Sequence, residues 1–334
     1  MNAINKAFRR PAILVLGLAF TLVSATLVSR PTQAQAWPSK PIRVIVASGA
    51  GGTADILARL MGERLTPLLG QTFIFDNRAG AGGHLGSEMA ARAPADGYTL
   101  LMSGAPTHSV GPHLFRDLKY DPMRDVPPVA MLAAAPNLLV VNAASPVKSL
   151  QDLVKLAREN PGKLTYSSAG NGTSGHLAAE LLKSVAKIDA VHAPYKSGPE
   201  AVTSVLSSTV DFMFFTPPAT LPLIKSGKLR ALGISSLKRS ALAPDVPTLA
   251  EAGYADFEVL AWYALFAPRG VPRDIVARLS GEIEKVLNQP DVREKIIGLG
   301  AEPSYLGGDR LLDFVTRDSA KWGKLIRDTG SKTD

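Results

Sequence analysis

"IVASGAGGTADILAR", residues 45–59, reads as a strand that runs into a glycine turn and out into a helix. Its centre, Gly49-Ala50-Gly51-Gly52-Thr53-Ala54, fits the G-x-G-x-x-A form of the dinucleotide fingerprint. Asp76 then closes another strand-like run, "TFIFD" (72–76), near the place where a Rossmann unit keeps an acid for the ribose. A helix start leaves backbone N–H groups unpaired and carries a partial positive charge. Glycines ahead of it let a ligand approach the backbone closely. The stretch is therefore a strand–turn–helix anion site, or else a tight connection in which glycine serves only the backbone. If it is a site, the open question is which anion it takes.

Working outward, strand-like and helix-like runs alternate. The strand-like runs are 42–48, 72–76, 98–104, 138–142, 164–169, 210–216, 229–235 and 261–268. "TADILARLMGERLTPLL" brings Ile56, Leu57, Leu60, Leu65 and Leu68 near helical spacing, and "SLQDLVKLAREN" starts on Ser149 as its N-cap. Amphipathic helices follow at 271–290 and 308–328. This alternation predicts an α/β protein with parallel sheets covered on both faces. At 334 residues the chain is long enough for two domains. Two strand-like runs flanked by proline or glycine, 135–146 and 254–272, read as crossings between them. On that reading residues 37–142 and 256–334 form one discontinuous domain, and 143–255 form the other.

The opening stretch has an echo. "GAGGTADILARL" (49–60) and "GNGTSGHLAAEL" (170–181) both set glycines and a Thr before a helix, and both follow a strand. A third glycine segment, "RAGAGGHLGSEMAARA" (78–93), also leads into a helix. Turns in equivalent places on two domains can converge on one cleft. Thr53 and Ser174 read as N-caps. Asp55 reads first as a partner of its own helix dipole, and Asp76 as a partner of Arg78. His176, one turn into the second helix, is either a structural histidine or part of the site.

The N-terminus sets the compartment. Lys6, Arg9 and Arg10 precede an apolar run, and Ala34-Gln35-Ala36 closes it. This is the layout of a secretory signal peptide, residues 1–36, cleaved after Ala36 to release a periplasmic protein; an uncleaved anchor is the alternative. The formal charge is +8, and removing the four cations of the leader (Lys6, Arg9, Arg10, Arg30) leaves +4 on the mature chain. Its basic residues are scattered, which argues against nucleic acid and suits a small anionic ligand. There is no cysteine, which excludes thiolate metal sites, cysteine nucleophiles and a lipidated N-terminal cysteine.

Catalytic patterns are missing. No G-x-S-x-G or H-E-x-x-H occurs, and the two S-x-x-K matches, Ser145–Lys148 and Ser184–Lys187, stand without S-D-N or K-T-G. His84, His108, His113, His176 and His192 show no metal-ligand spacing within one helix. The expectation is a protein that is not an enzyme and carries no metal or cofactor. An exported dehydrogenase would also lack a nicotinamide pool, and a second glycine turn begins just after Asp76, where that acid would have to reach a ribose.

The segments "WPSKPIRVIV" (37–46), "AGGTADILAR" (50–59), "DNRAGAGGHLGSEMAARAPADGYTLLMS" (76–103), "NPGKLTYSSAGNGTSGHLAAELLKS" (160–184), "VHAPYKSGPEAV" (191–202) and "LFAPRGVP" (265–272) add up to a resemblance. In order and spacing the chain resembles the periplasmic substrate-binding proteins of tripartite tricarboxylate transporters, the Bug (Bordetella uptake gene) family, from Trp37 to about Trp322. The resemblance implies a type II, Venus-flytrap binding protein: two α/β domains, two crossover strands and a cleft between them. It implies a monomer that closes on a small carboxylate and delivers it to membrane permease subunits, with a sensor input as the alternative role. The implied ligand-binding residues are Ser48, Ala50, Gly51, Gly52, Thr53 and Asp55 in the first turn, and Ser103, Thr107 and His108 after the third strand. In the second domain they are Ser168, Gly170, Asn171, Thr173 and His176, with Tyr195, Phe215 and Thr216 bordering the cleft.

Departures from the family pattern bear on the ligand. Where the family commonly reads P-F-A-P-G-G, this chain has Ala47-Ser48-Gly49-Ala50-Gly51-Gly52, without the two prolines and the phenylalanine. Phe214-Phe215-Thr216 replaces F-D-N, and Tyr195-Lys196-Ser197 replaces Y-K-G. The expected pocket is roomier and less polar, suited to an aromatic or bulky monocarboxylate over a small dicarboxylate. A Phe215 buried behind its strand would remove that reason.

Overall fold

The computed structural model describes residues 37–115 and 117–329, so the expected leader lies outside it. Residues from Lys40 onward form one unit, and the account below concerns that unit. In chain order its first elements are β1 (Ile42–Val46), α1 (Thr53–Leu69), β2 (Phe73–Asn77), α2 (His84–Ala91) and β3 (Thr99–Gly104). They are followed by β4 (Pro128–Pro136), β5 (Leu138–Asn142), α3 (Leu150–Glu159), β6 (Thr165–Ser168), α4 (Ser174–Ala186) and β7 (Val191–Pro194). Next come α5 (Gly198–Leu206), β8 (Phe212–Phe215), α6 (Pro217–Lys225) and β9 (Leu229–Ile234). The last are β10 (Leu260–Phe266), α7 (Arg273–Leu287), α8 (Pro290–Gly298), β11 (Glu302–Gly307) and α9 (Gly308–Thr329). Among the described residues no helix is long and apolar enough to cross a membrane.

The strands make two sheets. The first has the order β11-β4-β10-β3-β1-β2 and the second β7-β6-β8-β5-β9. Both are mixed, where the alternation of strands and helices predicts parallel sheets. β1 runs parallel to β2 and β3, and β6 parallel to β7 and β8. β10 is antiparallel to β3 and β4, and β5 antiparallel to β8 and β9. Two of the antiparallel strands, β5 and β10, lie at the crossings, where the chain passes from one sheet into the other without an intervening helix; the third is the edge strand β11, antiparallel to β4. β4, β7 and β11 have no strand signal among the expected runs. β7 and β11 are sheet edges, where proline and polar residues are tolerated, and β4 is a run of small apolar residues without alternation.

A single residue, Asn137, separates β4 from β5. The expected division put 138–142 with the first domain, but the ladder makes β5 a strand of the second sheet, between β8 and β9. Asn137 has no exposed surface, and its polar groups are all engaged. Its N–H donates to Ser235 Oγ at 2.8 Å, its Nδ2 to the Val259 carbonyl at 3.3 Å, and its carbonyl accepts the Ser235 N–H at 2.9 Å. Ser235 and Val259 flank the return crossing, so the two crossings are tied side by side.

Helices cover the sheets. α1 packs on β2 and against α7, which lies on β4; α2 lies on β1 and β3, and α9 also meets β4. Asp318 of α9 accepts from the buried indoles of Trp262 and Trp322, each at 2.9 Å, and so pins the C-terminal helix to β10. Ser149 does cap α3, accepting the Asp152 N–H at 3.1 Å. Thr53 and Ser174 are not caps: the N-caps are Gly52 and Thr173, and these two residues begin their helices. Their hydroxyls are thereby set one residue further along than the sequence reading puts them.

Gly62 is where α1 meets β2. A Cβ there would lie 2.4 Å from Phe75 Cζ and 2.9 Å from Phe73 Cβ. Alanine in a helix gains about 1 kcal/mol over glycine, but overpacking of this kind costs about 1–3 kcal/mol. Gly62→Ala should therefore lower Tm by a few degrees in a thermal melt, with ligand affinity unchanged.

Candidate functional site

Both sheets turn the C-terminal ends of their parallel strands toward a shared cavity of about 460 Å³, a size that suits a small ligand. The first sheet contributes Ala47 and Ser48 after β1, Met102–Pro106 at the end of β3, and Ala261–Tyr263 of β10. The second contributes Ala169 after β6, Thr173 and Ser174 at the start of α4, Gly198 and Pro199, and Phe215 to Ala219 without Pro217. Gly51–Ala54 and Ile56 at the start of α1, Gly82 and Leu299 complete the wall. No Asp, Glu, Lys, Arg or His is among these lining residues.

With no charged side chain on the wall, an anion here would meet backbone. α1 begins after Gly52 and α4 after Thr173, and neither cap residue supplies a side-chain hydrogen bond to its helix. The N–H groups of Thr53, Ala54 and Asp55, and of Ser174, Gly175 and His176, therefore have no acceptor within their helices. Together with the helix dipoles they make two anion seats, one from each sheet. α6 also begins at the cavity, but Pro217 and Pro218 occupy its first positions and have no N–H to offer.

Of the expected site residues, Ser48, Gly51, Gly52, Thr53, Ser103, Thr173, Phe215 and Thr216 line the cavity. Phe215 borders the cavity at the end of β8, and its ring also lies over Gly198 and packs on the second-sheet core beside Met213 and Tyr195. The other expected residues do not line it. Ala50 and Asn171 are exposed turn tips. Tyr195 packs partly on the second-sheet core, and its N–H donates to the Ser168 carbonyl at 2.9 Å.

The remaining expected residues support the turns from behind. Asp55 is buried and accepts from Gly51 N at 2.9 Å, Arg59 Nε at 2.9 Å and Asn77 Nδ2 at 3.1 Å. Burial alone would raise its carboxyl, but these hydrogen bonds outweigh burial and hold it below the usual carboxylate range. Thr107 bridges Ser103 Oγ (2.5 Å) and His108 Nδ1 (2.9 Å). His108 is fully buried, stacked on Phe266 at 3.6 Å, and does not reach the cavity. Ser168 contacts His192 Nε2 at 2.7 Å and donates to the Gly170 carbonyl at 3.1 Å. His176 Nδ1 accepts the Gly172 N–H at 3.1 Å. Asp76 is held by Arg43 and Arg78, whose guanidiniums keep it well ionised, so it serves the strand and no ribose.

The sequence reading misses Tyr263 and Trp262. Burial pushes the Tyr263 phenol up, so it stays protonated, and its hydroxyl shares a hydrogen bond with the Thr53 side chain. The signal for both is their place in the crossing run 261–268, which brings them to the cavity. Ser174 is also missed: its hydroxyl donates to Asn137 Oδ1 at 3.0 Å, tying the start of α4 to the crossing.

Two mixed α/β lobes joined by two crossings, with strand ends and helix starts around a cavity between them, define a two-lobed solute-binding protein. The family described as "Tripartite tricarboxylate transporter family receptor" matches residues 57–331, and the chain belongs to it. BugT of Bordetella pertussis is 34% identical over 321 residues, which cover 95% of this chain and 98% of BugT. The periplasmic binding protein BugD is 31% identical, with a TM-score of 0.78 over 89% of this chain and 100% of that one. Rpa4515 of R. palustris, solved with adipate, is 34% identical, with a TM-score of 0.81 over 89% and 100% of the two chains. This is a family of periplasmic solute receptors, not of enzymes.

All five histidines are pushed down from their ordinary value. Burial takes His84 and His176 to about 4 and His108 and His192 to about 3, and it also lowers His113. The unfolded chain takes up these protons near pH 6.5, before the folded chain does. Stability from neutral burial is therefore complete above about pH 6.5 and is lost as pH falls toward 4. A deeply buried ring such as that of His108 or His176 costs about 1.4 kcal/mol per pH unit inside that window. Thermal melts should show a level Tm from pH 8 to 7 and a steep fall between pH 6 and 4; a flat profile would contradict the burial of these rings.

Proposed function

We propose that the chain is an exported receptor that closes on one aromatic or bulky monocarboxylate and delivers it to the permease subunits of a tripartite tricarboxylate transporter. The observation that carries this reading is the pairing of two uncapped helix starts, α1 and α4, across a cavity without charged walls. A carboxylate has two oxygens, so one group can engage both seats and draw the lobes together. The remaining wall favours an apolar body. Phe215, Trp262, Met102, Ile56 and Leu299 line it, and the prolines of α6 remove the donors that a second carboxylate would use there. Adipate, bound by Rpa4515, carries a carboxylate at each end; the ligand of this chain carries one. Export rests on the leader at 1–36, cleaved after Ala36, and the permease partner rests on the family.

Isothermal titration against benzoate, nicotinate, succinate, malate and adipate tests the reading. Benzoate or nicotinate should bind, and the dicarboxylates should bind at least tenfold more weakly. Phe215→Ala should weaken benzoate about tenfold, the loss of about 1.4 kcal/mol expected for one aromatic wall. Tight succinate or malate binding without aromatic acids would overturn the monocarboxylate assignment.

A further inference from the structure

The two lobes repeat one device, residue for residue. Gly51-Gly52-Thr53-Ala54-Asp55 corresponds to Gly172-Thr173-Ser174-Gly175-His176. Gly51 has φ +78° and Gly172 φ +77°, so each turn enters its helix through a left-handed glycine. Both N-caps are extended, with φ/ψ of −77°/166° at Gly52 and −69°/157° at Thr173. In each turn the glycine N–H is accepted by the side chain four residues on: Asp55 Oδ2 at 2.9 Å, His176 Nδ1 at 3.1 Å. Both acceptor atoms lie two bonds beyond Cβ. They are struts that fix the direction in which the next three N–H groups point.

The struts differ in charge. Asp55 is anionic and offset by Arg59 and Asn77. His176 accepts an N–H, so its Nδ1 carries no proton and the ring is the Nε2–H tautomer. We propose that His176 is the positioning residue of the second-lobe anion seat: its unprotonated Nδ1 holds the Gly170–Thr173 turn so that α4 presents its free N–H groups to a carboxylate, and protonation of the ring releases that turn. The inference rests on the carboxylate reading of the cavity. The groups around the ring agree with a neutral strut. His192 from β7 stacks on it at 4.3 Å and Tyr166 from β6 lies at 6.4 Å. From its own helix Glu180 is the nearest acid, but it is engaged by Lys183 at 2.9 Å and by the Tyr166 hydroxyl at 2.5 Å. Val110 and Leu114, next to Gly172, are apolar. A neutral strut also leaves the helix start uncompensated, so this seat keeps its full attraction for an anion.

Substitution at 176 in the full mature chain separates positioning from packing. His176→Leu removes the acceptor, His176→Asn restores one two bonds from Cβ without titrating, and His176→Asp restores one with a charge. Benzoate titrated at pH 7 should lose tenfold or more in the Leu variant, recover most of that loss in the Asn variant, and bind more weakly to Asp than to Asn. As the pH is lowered toward 4 over the range in which circular dichroism shows both proteins folded, binding should weaken more in the wild type than in His176→Asn, because the acid form of the probe is common to both and only the imidazole differs. Two readouts need no ligand. Long-range ¹H–¹⁵N spectra should show the Nε2–H tautomer at His176, and the Gly172 amide should exchange slowly in wild type and Asn but fast in Leu. An Nδ1–H tautomer, or Gly172 protection and benzoate affinity both unchanged in the Leu variant, would overturn the proposal. If benzoate fails to bind the wild type while tautomer and exchange behave as stated, the strut stands and the ligand reading is what fails.

Discussion

Asn137 is the constraint on which the cleft depends. A buried amide left unpaired would cost about 1–3 kcal/mol, and here every polar group of the residue is used. Its backbone and Nδ2 bind the two ends of the return crossing, and its Oδ1 accepts the hydroxyl of Ser174. One residue therefore fixes the spacing of the two sheets and the position of a helix start at the cavity. The lobes are joined by strands and not by a flexible linker, which suits a hinge that opens and closes about a defined line.

The proposed recognition of an anion needs no cation in this arrangement. The lining has hydroxyls, backbone N–H groups and apolar surface but no charged side chain. A guanidinium would hold a carboxylate strongly in one place, whereas two helix starts on separate lobes hold it fully only when the lobes are together. Asp55 and His176, both behind the wall, spend their polar atoms on the shape of the turns and leave the cavity face to the ligand.

Much of this is legible in the sequence because glycine turns leave a strong mark. The echo between 49–60 and 170–181 gives both anion seats, and the strand runs give the α/β class and the two crossings. Mixed sheet direction is not legible, since residue pattern does not encode the partner of a crossing strand. β7 and β11 are invisible for a related reason, because edge strands need no continuous apolar run. Among site residues the motif marks the turn but not which side chains face outward. His176 lies inside a matched segment and Thr107 and His108 just beyond the end of one, yet all three turn inward, while Tyr263 reaches the cavity from a strand distant in sequence. Phe215 is the departure that matters most to ligand class, and it borders the cavity while packing on the second-sheet core.

The central claim is that one carboxylate sits between two helix starts. A crystal structure of residues 37–334 with benzoate tests it directly. The carboxylate oxygens should lie about 3 Å from backbone N–H groups of both the Thr53–Asp55 and Ser174–His176 turns, directly or through one ordered water, with the ring against Phe215. A carboxylate paired with a Lys or Arg side chain, or seated on one lobe alone, would contradict it.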